Sequence, residues 1–140
     1  MLSIRLKLCM ILILALNIQG KAGHPFDFFN ESLEDFDDCL KMNNISNEEY
    51  EEFEEFKNLK NLLSENVEER FKCNIKCQLE RQPKRWLNRM GKMDLELMNA
   101  TKEASEDIAN CMDEASDESC AYSFKLVICA FKAGHPPTDF

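Results

Sequence analysis

The sequence predicts an all-α domain, and three observations carry that prediction. Its 140 residues include only four glycines and four prolines, too few for a turn-rich β-sandwich or a knottin. Apolar residues recur at spacings of three and four over most of the chain, and no run alternates long enough to make a useful strand. Seven cysteines are far above ordinary usage for so short a chain and imply a disulfide framework. No period of solenoid length is present.

The elements follow in order. Arg5 and Lys7 precede the apolar run Leu8–Leu16, the arrangement of a secretory signal peptide. The run is too short to span a bilayer, which needs about 20 apolar residues. The expected division is a signal peptide over residues 1–20 and one mature domain over 21–140, with cleavage after Ala22 as the alternative. Ser46 is a good N-cap for a following helix. Tyr50, Phe53 and Phe56, extended by Leu59, Leu62 and Leu63, make its apolar stripe opposite an acidic face. That acidic face reads as solvated surface in preference to a docking surface for a basic partner.

A second helix is expected from Val67 to Arg81, with Asn66 and Glu69 as a capping box. Val67, Phe71, Ile75 and Leu79 fall on one of its faces. Pro83 should start a short helical piece, Lys84–Met90, that carries the only tryptophan, Trp86, and stops at Gly91. Asp94 to Ala115 reads as another helix with Leu97, Met98, Ile108, Cys111 and Met112 turned inward. The last helix, Asp117 to Lys132, is apolar nearly all round, which places it at the centre of the bundle. A segment, Lys21-Ala22-Gly23-His24-Pro25, recurs as Lys132-Ala133-Gly134-His135-Pro136, and both histidines of the chain sit in these copies. The Gly-His-Pro units read as helix punctuation.

Charge narrows the function. The chain carries a formal charge of −9, and removal of Arg5 and Lys7 with the signal peptide takes it to −11. Phosphate binding needs the opposite balance, so nucleic acid is excluded as a partner. Cleavage also removes Cys9 and leaves an even set, Cys39, Cys73, Cys77, Cys111, Cys120 and Cys129, as an oxidising extracellular compartment requires. The sequons at Asn30, Asn44 and Asn99 are candidate glycosylation sites and fit that compartment.

Geometry restricts the cysteine pairing. Cys73 and Cys77 project from one helix face a turn apart and so reach two different partners. Cys120 and Cys129 stand about 13.5 Å apart along a helix, whereas bridged Cα atoms lie within about 7 Å. Of the fifteen pairings open to six cysteines, excluding 73–77 and 120–129 leaves ten, and spacing goes no further.

The spacing itself resembles the insect odorant-binding protein family, in its six-cysteine pheromone and general odorant-binding type. The matching features are Cys73-x3-Cys77, Cys120-x8-Cys129, the eight residues between Cys111 and Cys120, and the closing stretch Cys120-Ala121-Tyr122-Ser123-Phe124-Lys125. The details are most similar to small fly chemosensory members. A saposin-like domain, the other six-cysteine helical choice, lacks a central Cys-x3-Cys helix. The resemblance implies a compact bundle of about six helices around an apolar cavity. It implies bridges Cys39–Cys77, Cys73–Cys120 and Cys111–Cys129. It also implies a secreted carrier of odorants, tastants or pheromones through sensillar lymph, with a chemoreceptor as a further partner.

Candidates for the pocket lining are Trp86, Leu87, Met90, Met93, Leu97, Met98, Phe124, Val127, Ile128 and Phe131. Met90, Met93 and Met98 bring flexible thioethers suited to several ligand shapes. The ligand implied is a volatile acid, ester, alcohol or fatty acid, whose polar end Tyr122, Lys125, Arg85 or Arg89 could meet. Some moth members release ligand through a histidine-linked C-terminal tail, which would assign Phe140 to capping and His135 to pH sensing; the plainer reading is a frayed tail.

No catalytic constellation is found. Both histidines lie outside the helices, six bridged cysteines leave no nucleophile, and no zinc spacing or cofactor motif is present. The expectation is a non-enzyme without cofactor or metal. The competing class is a secreted interaction protein or general lipid carrier acting through its acidic surface.

Overall fold

The computed structural model describes residues 24–26, 29 and 33–135, apart from the side chains of residues 33, 54 and 55. Residues 1–20, the expected signal peptide, lie outside the described residues, as do Asn30 and Phe140.

The described residues form eight helices: α1 (Leu33–Met42), α2 (Asn47–Glu52), α3 (Glu54–Lys57), α4 (Leu59–Leu63), α5 (Glu69–Glu80), α6 (Leu95–Met98), α7 (Lys102–Cys111) and α8 (Ser119–Lys132). Among them there is no strand, only an isolated antiparallel bridge between Leu87 and Met93. α8 is the centrepiece. Nine of its fourteen residues are buried, and its most extensive partner is α5, with α7 also packed on it. α1 also packs on α5. Glu118 starts α8 by accepting the N–H groups of Cys120 (3.0 Å) and Ala121 (2.6 Å), and those bonds hold its carboxyl below the usual range.

Three disulfides lock this arrangement: Cys39–Cys77 ties α1 to α5, Cys73–Cys120 ties α5 to α8, and Cys111–Cys129 ties α7 to α8. Ion pairs reinforce the α1–α5 seam and add a tie between α5 and α2. Arg81 bonds Asp35 (3.1 Å) and Asp38 (3.2 Å) of α1, and Arg70 bonds Glu49 of α2 (3.1 Å). The Arg70 guanidinium holds Glu49 below the carboxylate range.

The structure corrects the sequence reading at four places. Ser46 does cap, in a full capping box with Glu49. The segment it starts, however, is three short helices, because Phe53 and Asn58 take extended backbone. The reason is the aromatic period. Residues three apart drift about 60° around a helix at each step, so one straight helix would carry Phe56 away from the core that Tyr50 faces. The breaks reset the register. Phe56 is buried, Tyr50 lies between Phe36 (5.1 Å) and Phe56 (5.0 Å), and Phe53 stacks on Phe71 at 4.2 Å.

α5 starts at Glu69 rather than Val67, and the Asn66–Glu69 box does not form. Glu65 turns the chain with φ +61°, and Glu68 takes the N-cap place without a side-chain cap bond, its carboxylate accepting from Arg70. The segment 94–115 is two helices, because Asn99 adopts φ +53° and Thr101 starts a new helix by accepting from Ala104 N–H.

The fourth correction is Lys84–Met90, which is not helical. The Asn88 side chain accepts the N–H groups of Met90 (2.9 Å) and Lys92 (3.1 Å), and Gly91 takes φ +75°. Asn88 N–H donates to Lys92 O (2.7 Å) and Asp94 N–H to Trp86 O (2.8 Å), which folds residues 86–94 into a tight two-armed turn.

The second Lys-Ala-Gly-His copy closes α8. Gly134 at φ +72° donates to Phe131 O (3.0 Å) and His135 N–H to Ala130 O (2.8 Å), the two bonds of a Schellman cap. His135 is buried, so this end of the chain is docked as far as His135 rather than frayed.

Candidate functional site

The apolar interior and one cleft beside it are the two features from which a site can be built. Of the pocket candidates, Trp86, Met98, Phe124, Val127 and Ile128 lie in one continuous buried cluster, with Leu87 and Met93 packed against it. These residues come from the 86–94 turn, α6 and α8, so three separate stretches of chain meet there. Phe131 is half-buried. Two candidates do not belong to the interior. Met90 is 85% exposed and Leu97 46% exposed. Met90 sits at the tip of the turn that replaces the expected helix. Leu97 lies on a helix of only four residues, whose inward position Met98 occupies.

The cleft, of about 570 Å³, opens where the 86–94 turn crosses α5 and the start of α8. Its apolar wall is Leu79, Trp86, Leu87, Met90 and Tyr122, and its polar rim includes Lys76, Glu80, Arg85, Arg89, Lys92 and Asp117. Lys76 pairs with Glu80 and Lys92 with Asp117, whereas no ion pair among the described residues engages Arg85 or Arg89. Tyr122 fastens the turn to α8: its hydroxyl accepts the Met93 N–H at 3.0 Å, and Lys92 lies over its ring at 4.4 Å. Lys125, named with these residues at the sequence level, lies elsewhere and pairs with Glu65 at 3.1 Å.

Behind Trp86 stands His135, ring to ring at 5.5 Å. Burial pushes the His135 imidazole below its ordinary value, a contact with the Met98 backbone works the other way, and Lys84 lowers it further. His24 is separate from this place; its Nδ1 accepts the Phe26 N–H at 3.3 Å.

Sequence reasoning missed Leu79 in the cleft wall and two amides in the core. Asn74 and Gln78 are 0% and 3% exposed, on the same α5 face as Phe71 and Ile75. Their side-chain nitrogen and oxygen atoms find no hydrogen-bond partner among the described residues. Each such group costs about 1–3 kcal/mol when left unpaired. The signal was present in the helical spacing: counting 71, 74, 75 and 78 along the stripe places both amides inside.

Of the sequons, Asn44 and Asn99 are both exposed at left-handed turns, φ 56° and 53°. The Ser46 and Thr101 that complete them are N-caps. No group of His, Cys, Asp or Glu among the described residues could hold a metal ion.

A disulfide-locked helical shell around one apolar centre, with an amphipathic cleft at its edge, defines a small six-cysteine binding-type domain. Two curated relatives from Drosophila melanogaster are similar to it along most of their length. General odorant-binding protein 57b is 53% identical over 128 residues, 91% of each chain. General odorant-binding protein 57a is 52% identical over 140 residues, all of this chain and 83% of the relative. The chain belongs to the insect odorant-binding protein family. No family model matches it, and no solved structure does.

Proposed function

We propose that the protein is a secreted carrier that binds small hydrophobic odorants, tastants or pheromones in its apolar interior. It would carry them through sensillar lymph to chemoreceptors. The observation that supports this is the meeting of Trp86, Met98, Phe124, Val127 and Ile128 in one buried cluster inside a disulfide-locked shell. The relatives' names, general odorant-binding proteins, support the binding part of this reading. The cleft at Trp86, Leu87 and Met90 is the entrance in this reading, with Arg85 and Arg89 at its rim. Residues 1–20 act as the export signal, and no helix among the described residues is long and apolar enough to cross a membrane.

Affinity follows from burial. At about 0.8 kcal/mol per methylene, a ten-carbon chain gains about 8 kcal/mol, which corresponds to a micromolar constant. A fluorescent apolar probe should bind with one-to-one stoichiometry and be displaced by ten-carbon acids, esters and alcohols. Phe124→Ala should weaken the probe, since Phe124 is fully buried in the cluster. Failure of any apolar probe to bind the folded, oxidised protein would sink the carrier reading and leave its acidic surface as the functional one.

A further inference from the structure

We propose that Asn74 and Gln78 form a polar recognition site within the apolar interior, which takes the neutral hydroxyl of an aliphatic alcohol. The proposal rests on the carrier reading and adds to it the chemistry of the ligand's head group. α5 buries five side chains, Phe71, Asn74, Ile75, Gln78 and Leu79, and two of the five are primary amides one turn apart. The four polar atoms at the ends of these side chains are all buried and all without a partner among the described residues. Buried polar groups in folded proteins are almost always paired, so two adjacent exceptions mark a place where a partner is to be supplied.

The chemistry of the pair selects that partner. A primary amide offers two N–H donors and a carbonyl acceptor. A hydroxyl answers both, donating its O–H to one amide oxygen and accepting from the neighbouring NH2. An ether or ester oxygen only accepts and leaves the amide oxygens unpaired. A carboxylate or ammonium would bring an uncompensated charge into the core. The charged residues of α5 itself are no remedy. Arg70 and Lys76 are engaged in ion pairs, and Arg70, Lys72 and Lys76 all reach solvent, whereas the amides do not. Either amide alone could be an accident of packing; their i, i+4 placement on one buried face makes them a bidentate unit.

The test is displacement of a fluorescent apolar probe from the mature, oxidised protein by 1-decanol, decyl methyl ether, methyl decanoate and sodium decanoate at pH 7.5. Wild type should favour 1-decanol over the ether and the ester by about tenfold or more, because a site built for a hydroxyl is left with unpaired groups by analogues that lack one. The double variant Asn74→Leu/Gln78→Met, close in shape to the originals, should bring that ratio to within about twofold and keep its affinity for the ether. The single variants, and the wild-type ratio on its own, serve if the double variant does not fold. A wild-type ratio near one, decanoate binding as well as decanol, or a preference that survives the variants overturns the amide assignment alone. A probe that does not bind overturns the carrier reading and this assignment with it.

Discussion

The ring of His135 lies 5.5 Å from the indole of Trp86, the single tryptophan of the chain, and both side chains are buried. The contact joins the C-terminal cap of α8 to the turn that forms the cleft wall. It also makes the protein's one indole a reporter of both places.

His135 should make stability depend on pH. Its imidazole sits below the ordinary value because burial disfavours the charged ring. The folded state therefore binds fewer protons than the unfolded one. The full contribution is present above the unfolded value of about 6.5 and is lost progressively as pH falls through 6.5 toward the folded value. Thermal midpoints should drop between pH 7.5 and 5.5, with a change in Trp86 emission over the same window. The lowered carboxylates Glu49 and Glu118 titrate below that window. An equal slope in His135→Phe would remove His135 as the cause.

The disulfides should differ in weight. In the chain-entropy model, Cys73–Cys120, with a separation of 47, contributes about 4 kcal/mol, and Cys111–Cys129, with a separation of 18, about 3 kcal/mol. Paired Cys→Ser variants measured by urea unfolding should keep that order. Peptide mapping of the oxidised protein should recover the three bridges, and a Cys39–Cys73 linkage would contradict the fold.

Gly134→Ala should cost about 1 kcal/mol through backbone strain alone. The residue has φ +72°, and a Cβ there would meet nothing within 4 Å. A loss of about 3–6 °C in midpoint is expected. No loss would mean that the Schellman cap contributes little to α8.

Tyr122→Phe should remove about 1 kcal/mol by leaving the Met93 N–H without its 3.0 Å acceptor. Hydrogen exchange at Met93 is the direct readout and should accelerate, while α5 and α7 amides keep their protection. Unchanged exchange at Met93 would show that the turn is held without Tyr122.

α8 reads directly as a central helix, since a side that is apolar all round can only be buried. The Ser46 cap is equally local. The 86–94 turn was not legible, because Lys84–Met90 has no propensity against helix; the Asn88 side-chain bonds and Gly91 at φ +75° decide it. The break at Asn99 escapes for the same reason, since any single Asn only permits the left-handed conformation.

The cysteine count was the firmest thing in the sequence. By itself it implied a disulfide framework, and once the apolar spacing is read as helical, the four-residue step from Cys73 to Cys77 adds the rule that neighbours on one helix face take different partners. Spacing along a chain carries distances only within one helix, so ten pairings stayed open until the resemblance narrowed them. Tertiary structure decided which helices stand side by side, bringing Cys39 to Cys77, Cys73 to Cys120 and Cys111 to Cys129 at Cα separations of 5.6, 4.6 and 5.7 Å. It likewise separated Met90 and Leu97 from the interior. Those outcomes depend on which face of each element meets a neighbour, and hydrophobic pattern alone does not encode the neighbour.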